Sequence, residues 1–241
     1  MNLLTIFVFV LIIILIYTVY KLLTKSTSTV SGFSDATKAL SVPCDKFAAN
    51  SNYGYSVWVY VDAWQNTVPS SNDQTVLKKN ILTRCVGNTP AFNLYLDNNQ
   101  NNLNLLINGQ TKACSIQNIK LQKWVNITMS IYGNTVDLYL DGKLVRTCIL
   151  TAIPKAIKPS DTLYVGGVVT KSASACVATD NGDLHGYISS VVYKADYFTP
   201  EEAWAIYSEG YSGAGMFDFV HRYKLNFSVT KDNQALGQIS I

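Results

Sequence analysis

Residues 123–150 read KWVNITMSIYGNTVDLYLDGKLVRTCIL, and the side-chain pattern of this stretch decides the fold. Val125, Ile127, Met129 and Ile131 alternate with Asn126, Thr128 and Ser130; Val136, Leu138 and Leu140 alternate with Thr135, Asp137 and Tyr139. Successive side chains of a strand point to opposite faces, so a period of two puts the apolar residues on one face and most of the polar ones on the other. Gly133-Asn134 and Asp141-Gly142 separate the runs, and such dipeptides reach the positive φ that a two-residue hairpin turn demands. The stretch predicts a three-stranded antiparallel meander.

The same alternation recurs outward. Val57, Val59 and Val61 alternate with Ser56, Trp58 and Tyr60; Phe92, Leu94 and Leu96 alternate with Asn93 and Tyr95; Leu103 and Leu105 lead to an Asn108-Gly109 turn. Leu163–Val169 reads as one strand, and Tyr223–Val229 with Leu236–Ile241 as a closing hairpin around Lys231-Asp232-Asn233. One helix interrupts the strands. Thr199 suits the N-cap, Pro200 the first helical position, Glu202 the partner of a Thr-x-x-Glu capping box, and Gly210 the end. Ala203, Ile206 and Tyr207 share its apolar face.

The hairpin LYLDGKLV (138–145), preceded by a strand opening on Trp124, resembles the signature of laminin-G-like and pentraxin-like domains in the concanavalin A-like lectin/glucanase superfamily. YSVWVYV (55–61) resembles an early strand of that family, and DLHGYISSVVYKADYFTPEEAWAIYSEG (183–210) its late strand and helix. The resemblance implies an all-β fold, an antiparallel two-sheet jelly-roll sandwich with one short helix over residues 44–241, with Trp58 inside the sandwich. A fold of this kind hosts many activities, so the resemblance speaks to architecture first.

Leu3–Tyr20 is apolar but for two Thr and two Tyr, and with residues 21–23 it reaches the ~20 residues that cross a bilayer. No basic stretch precedes it and no small-residue cleavage site follows closely, so an uncleaved transmembrane helix over 1–23 is expected. Residues 24–43, rich in Ser and Thr, read as a flexible tether to a domain at 44–241. Lys21 and Lys25 directly follow the apolar run, and basic flanks stay cytoplasmic, which puts the sandwich on the cytosolic side of a single-pass membrane protein. There Cys44, Cys85, Cys114, Cys148 and Cys176 would stay reduced and serve as apolar filler. Asn126 and Asn226 head sequons that would be used only if the domain were lumenal, where disulfides would also be open to it.

The chemistry the composition allows is narrow. A net charge of +3 with scattered Lys and Arg gives no footprint for nucleic acid. Glycoside hydrolysis needs paired carboxylates, and no strand carries Glu-x-Asp-x-Glu or a near variant; Glu201 and Glu202 belong to a helix first turn. His185 and His221 lie near no nucleophile motif, and Gly166-Gly167 lacks the Lys-Ser/Thr of a phosphate loop. A catalytic role is therefore not expected, nor any cofactor. Asp180, Asn181 and Asp183, on a Gly-containing turn, are the best calcium candidates and read equally as a solvated turn. Most of the four Trp and fifteen Tyr are expected in the core and on strand faces, and no sugar site is assignable. An N-terminal anchor on a bare lectin-like sandwich in an Asn-rich chain is similar to membrane-associated structural proteins of large DNA viruses. That similarity implies a minor virion protein linking an inner membrane to a capsid, with the lipid bilayer and capsid proteins as partners. A glycan-binding lectin is the alternative, and a degenerate glycoside hydrolase the second.

Overall fold

The computed structural model describes residues 9, 11–17, 27–65, 78–171, 176–180, 182–211, 226–231 and 234–240. In chain order the strands begin β1 (Thr27–Ser31), β2 (Ser34–Asp35), β3 (Leu40–Pro43), β4 (Tyr53–Ala63), β5 (Lys79–Val86), β6 (Thr89–Leu96), β7 (Leu103–Ile107) and β8 (Gln110–Ile116). They continue β9 (Trp124–Tyr132), β10 (Thr135–Leu140), β11 (Lys143–Ile149), β12 (Thr162–Val165), β13 (Val168–Lys171), β14 (Cys176–Thr179) and β15 (His185–Lys194). Helix α1 (Pro200–Glu209) follows, then β16 (Asn226–Lys231) and β17 (Gln234–Ser240). A single 3₁₀ turn, Cys44–Lys46, joins β3 to the loop before β4.

Two antiparallel sheets form the sandwich. The first runs β1-β15-β4-β9-β10-β11, with β2 also on β15, and the second runs β3-β12-β5-β6-β7-β8. The meander is as expected: β9 and β10 pair from Tyr132↔Thr135, and β10 and β11 pair from Leu140↔Lys143. Positive φ falls on Gly133 in the first turn and on both Asp141 and Gly142 in the second. Val57, Val59 and Val61 of β4 and Val125, Ile127, Met129 and Ile131 of β9 face Phe92, Leu94, Leu96, Leu103 and Leu105 of the second sheet in one core. Burying these side chains supplies the main driving force, about 1.5–3 kcal/mol for each large aliphatic or aromatic residue.

Several expectations are corrected. The stretch read as a tether is largely sheet: Thr27–Ser31 pairs with β15 and Leu40–Pro43 with β12. Its short polar side chains suit the exposed edges of a sheet as well as a coil, so composition did not separate the two. Leu163–Val169 is two strands in different sheets, because Gly166 and Gly167 both take positive φ (68° and 64°) and break the extended run. The cysteines are not all reduced: Cys85–Cys176 ties the β13–β14 hairpin to β5, and Cys114–Cys148 joins the edge strands β8 and β11 across the open side of the sandwich. Cys44 is buried and unpaired, and burial pushes its thiol up to about 11. At the N-terminus, residues 9 and 11–17 are helical; the rest of the expected transmembrane segment lies outside the described residues, and no described helix is long and apolar enough to cross a membrane. β16 and β17 pair as the expected closing hairpin.

Candidate functional site

The outer face of the first sheet carries the site. On β4 the outward residues are Ser56, Trp58 and Tyr60, and on β9 they are Trp124, Asn126, Thr128 and Ser130, paired Tyr60↔Trp124, Trp58↔Asn126 and Ser56↔Thr128. The upper half of this face is polar and buried. Asn126 Nδ2 donates to Ser56 Oγ (3.1 Å) and Thr128 Oγ1 donates to the same oxygen (2.8 Å), while Ser130 Oγ accepts from the Phe198 N–H (2.8 Å). Polar groups removed from water must find such partners, and here the segment leading into α1 provides the lid.

Helix α1 forms where the sequence placed it. Thr199 Oγ1 accepts from the Glu202 N–H (3.3 Å), and Glu202 Oε2 accepts from the Thr199 N–H (2.8 Å), completing the capping box. Lys194 of β15 donates to both Glu202 oxygens (2.6 and 2.7 Å), which ties the helix start to the sheet. Burial opposes ionisation of Glu202, but the bonds from Lys194 and Thr199 outweigh it and hold the carboxyl below its ordinary value. At the other end of the helix, Trp204 and Tyr207 pack over the Asp141-Gly142 turn, where a Cβ on Gly142 would meet both at 3.0 Å.

So placed, the helix completes a run of aromatic rings in mutual contact. Trp204 touches Tyr207 (centroids 5.5 Å apart), Tyr207 stacks on Trp58 (5.6 Å), Trp58 meets Tyr211 edge-on (6.3 Å), and Tyr211 stacks on Trp124 (4.6 Å, planes 4° apart). Trp124 then touches Tyr60 and Phe33 (5.6 and 6.2 Å), and Phe33 stacks on Tyr187 (5.1 Å). Half of the eight rings are open to solvent: Phe33 is 65% exposed, Trp204 49%, Tyr187 40% and Tyr211 39%. Beside them lies a groove of about 440 Å³ lined by Phe33, Trp58, Ser189, Ser190, Ile206 and Tyr211, with Glu209 at its rim. Trp58 is only 5% exposed, yet its indole N–H has no partner among the described residues. A buried donor left unpaired costs about 1–3 kcal/mol, which an acceptor in the groove would return.

The sequence-predicted sites fare unevenly. Asp180 Oδ1 accepts from the Ala39 N–H (2.9 Å), so it ties two loops together. Asp183 exerts its charge on the buried Lys79, and Asn181 lies outside the described residues. No group of three or more metal-ligating side chains occurs among the described residues. The amide of Asn126, named as a glycosylation position, is fully buried and bonded as above. Asn226 opens β16, and its side chain lies outside the described residues, as does His221. His185 opens β15 opposite Ala63, away from the groove. Trp58, placed inside the sandwich by resemblance, instead lies between the sheet and α1. Sequence reasoning missed the aromatic surface, although the alternation Ser56-Trp58-Tyr60 against Val57-Val59-Val61 already put two of its rings on the non-core face.

The Laminin_G_3 family model, described as concanavalin A-like lectin/glucanases superfamily, matches residues 34–192. Among solved structures, the chain is similar to the ligand-binding domain of botulinum neurotoxin serotype D in complex with N-acetylneuraminic acid (TM-score 0.52, 12% identity, covering 76% of this chain and 46% of that one). It is also similar to the binding domain of botulinum neurotoxin DC in complex with rat synaptotagmin II (TM-score 0.49, 11% identity, 70% and 39%). A third is Trypanosoma rangeli sialidase with trans-sialidase activity, a mutant (TM-score 0.46, 14% identity, 66% and 23%). The chain thus spans less than half the length of each of these structures, and at 12% identity the likeness to the serotype D domain is one of fold. No curated protein sequence gives a significant match.

Proposed function

The chain belongs to the concanavalin A-like lectin/glucanases superfamily, and from that premise we propose that it is a carbohydrate-binding domain that holds its ligand on the aromatic face beside α1. The observation that carries this reading is the run of rings in mutual contact from Trp204 to Tyr187 on one face of the sheet, with Trp204, Tyr211, Phe33 and Tyr187 exposed along it. Rigid aromatic rings offer large contact area at low entropic cost, and the apolar faces of pyranose rings are a natural complement to them. Supporting a binding rather than a hydrolytic role, Glu209 is the only carboxylate lining the groove among the described residues, and hydrolysis of a glycosidic bond calls for two.

The domain is held at a membrane by the apolar run 3–23, and it sits in an oxidising compartment. The two disulfides support that topology, since such bonds persist outside the reducing cytosol, and they count against the cytosolic placement suggested by Lys21 and Lys25. Scaffolding between a virion membrane and a capsid has a resemblance of layout and composition behind it, whereas glycan binding has a surface of its own. The test is a glycan array probed with the full-length protein and with Trp124→Ala and Phe33→Ala. Loss of one stacked ring, worth about 0.5–1.5 kcal/mol, predicts a ~2–10-fold loss of affinity. An array with no hits for the unaltered protein overturns the proposal.

A further inference from the structure

We propose that the chain carries a second carbohydrate site, independent of the aromatic face, in the recess between the β6–β7 and β8–β9 loops. The recess has a volume of about 570 Å³, and Trp64, Asn99, Gln100, Asn101, Gln117 and Asn118 contribute to its wall.

The chemistry of the wall selects the ligand. No Lys, Arg, Asp or Glu lines the recess among the described residues. An anionic ligand would find no cation there, and a metal ion no carboxylate. Side-chain amides both donate and accept hydrogen bonds, as sugar hydroxyls do, so a concentration of Asn and Gln matches a neutral polyhydroxylated ring. Trp64 adds an aromatic surface for the apolar face of such a ring. Asn99 and Gln117 are exposed, and no described residue occupies their amides.

The wall is also held in place before any ligand arrives, which lowers the entropic cost of binding. Asn101 Nδ2 donates to Ile119 O (2.8 Å) while the Ile119 N–H donates to Asn101 O (2.7 Å), locking the two loops together. The Asn118 N–H donates to Asn102 Oδ1 (3.1 Å), and Asn118 and Gln122 hold φ of 58° and 54°. Asparagine enters the left-handed region readily, while Gln122 is held there by the bond from its N–H to Val61 O (2.8 Å). Behind the wall, Lys79 is almost fully buried; its Nζ donates to Gln65 O (2.6 Å) and Asn98 Oδ1 (3.2 Å) and sits 5.0 Å from the Trp64 ring centroid. That lysine fixes the tryptophan and the Asn-rich loop against each other without reaching the recess.

The experiment is a titration of the full-length protein with lactose, cellobiose, maltose and sialyllactose, following side-chain amide resonances and stoichiometry in the unaltered protein, in Asn99→Ala/Gln117→Ala, and in Trp124→Ala. Both amides are exposed, so the double variant keeps the fold. The expected result is two sugars per chain for a neutral disaccharide, with the recess site and its Asn and Gln amide shifts lost only in the double variant and the other site weakened ~2–10-fold only in Trp124→Ala. One sugar per chain, weakened by Trp124→Ala and untouched by the double variant, overturns the second site and leaves the aromatic face standing. Sialyllactose shifting the recess amides at lower concentration than lactose overturns the assignment to neutral sugars. No amide shift in the recess at millimolar levels of any of these sugars overturns the site as well.

Discussion

Replacing Cys114 and Cys148 together by Ala would remove the one covalent link between the far edges of the two sheets. The bond closes a loop of 34 residues, and the chain-entropy relation gives about 3.8 kcal/mol at 25 °C for a loop of that length. For a domain of this size each kcal/mol is worth about 2–4 °C in Tm, so the double variant should melt about 8–15 °C below the parent. The corresponding figure for Cys85–Cys176, separated by 91 residues, is about 4.6 kcal/mol. The assay is a circular dichroism melt of both proteins, with a thiol titration of the parent in denaturant. One reactive thiol per chain, that of Cys44, is expected from protein isolated without reductant. Five thiols, or a double variant melting within about 2 °C of the parent, would refute the reasoning and with it the argument for an oxidising compartment.

Three further outcomes follow from particular contacts. In Gly54→Ala the new methyl would overlap the Phe198 ring and lie 3.1 Å from Met129 O, so overpacking should cost about 1–3 kcal/mol in a denaturant titration. Glu202→Ala deletes half of the capping box and a partner of the nearly buried Lys194, at a cost of about 1–2 kcal/mol. Because the folded carboxyl lies below its ordinary value of 4.5, that contribution is complete above this pH and drains away as pH falls through the folded value. The gap between the two melting curves should therefore be full at neutral pH and close in acid. Finally, mass spectrometry of protein made in a glycosylating host should find Asn126 bare, since its amide and the Thr128 hydroxyl are both buried against Ser56.

How much of this was legible in the chain differs from element to element. The meander, the hairpin at Asp141-Gly142 and the helix from Thr199 to Gly210 were readable because each is set by interactions close in sequence: side-chain alternation, turn dihedrals and a cap spanning three residues. The extent of the sandwich was not, since Thr27–Ser31 becomes a strand only through β15, more than 150 residues away. The candidate sites divide along the same line. Asp180 reads in isolation as a calcium candidate or a solvated turn, and in the fold its Oδ1 accepts from the Ala39 N–H, a contact that local spacing does not encode.

By itself the sequence determined that this chain is an antiparallel sandwich with one capped helix, because periodicity and turn chemistry are local properties. Only the tertiary structure decided which cysteines pair, which polar residues are sealed under α1, and that rings from β4, β9, β15, the β1–β2 turn and the helix meet on one face. Those rings are separated by up to 178 positions between Phe33 and Tyr211. Their contact exists because strand order in the sheet, β1-β15-β4-β9, brings distant segments side by side, and no pattern along the chain records that order.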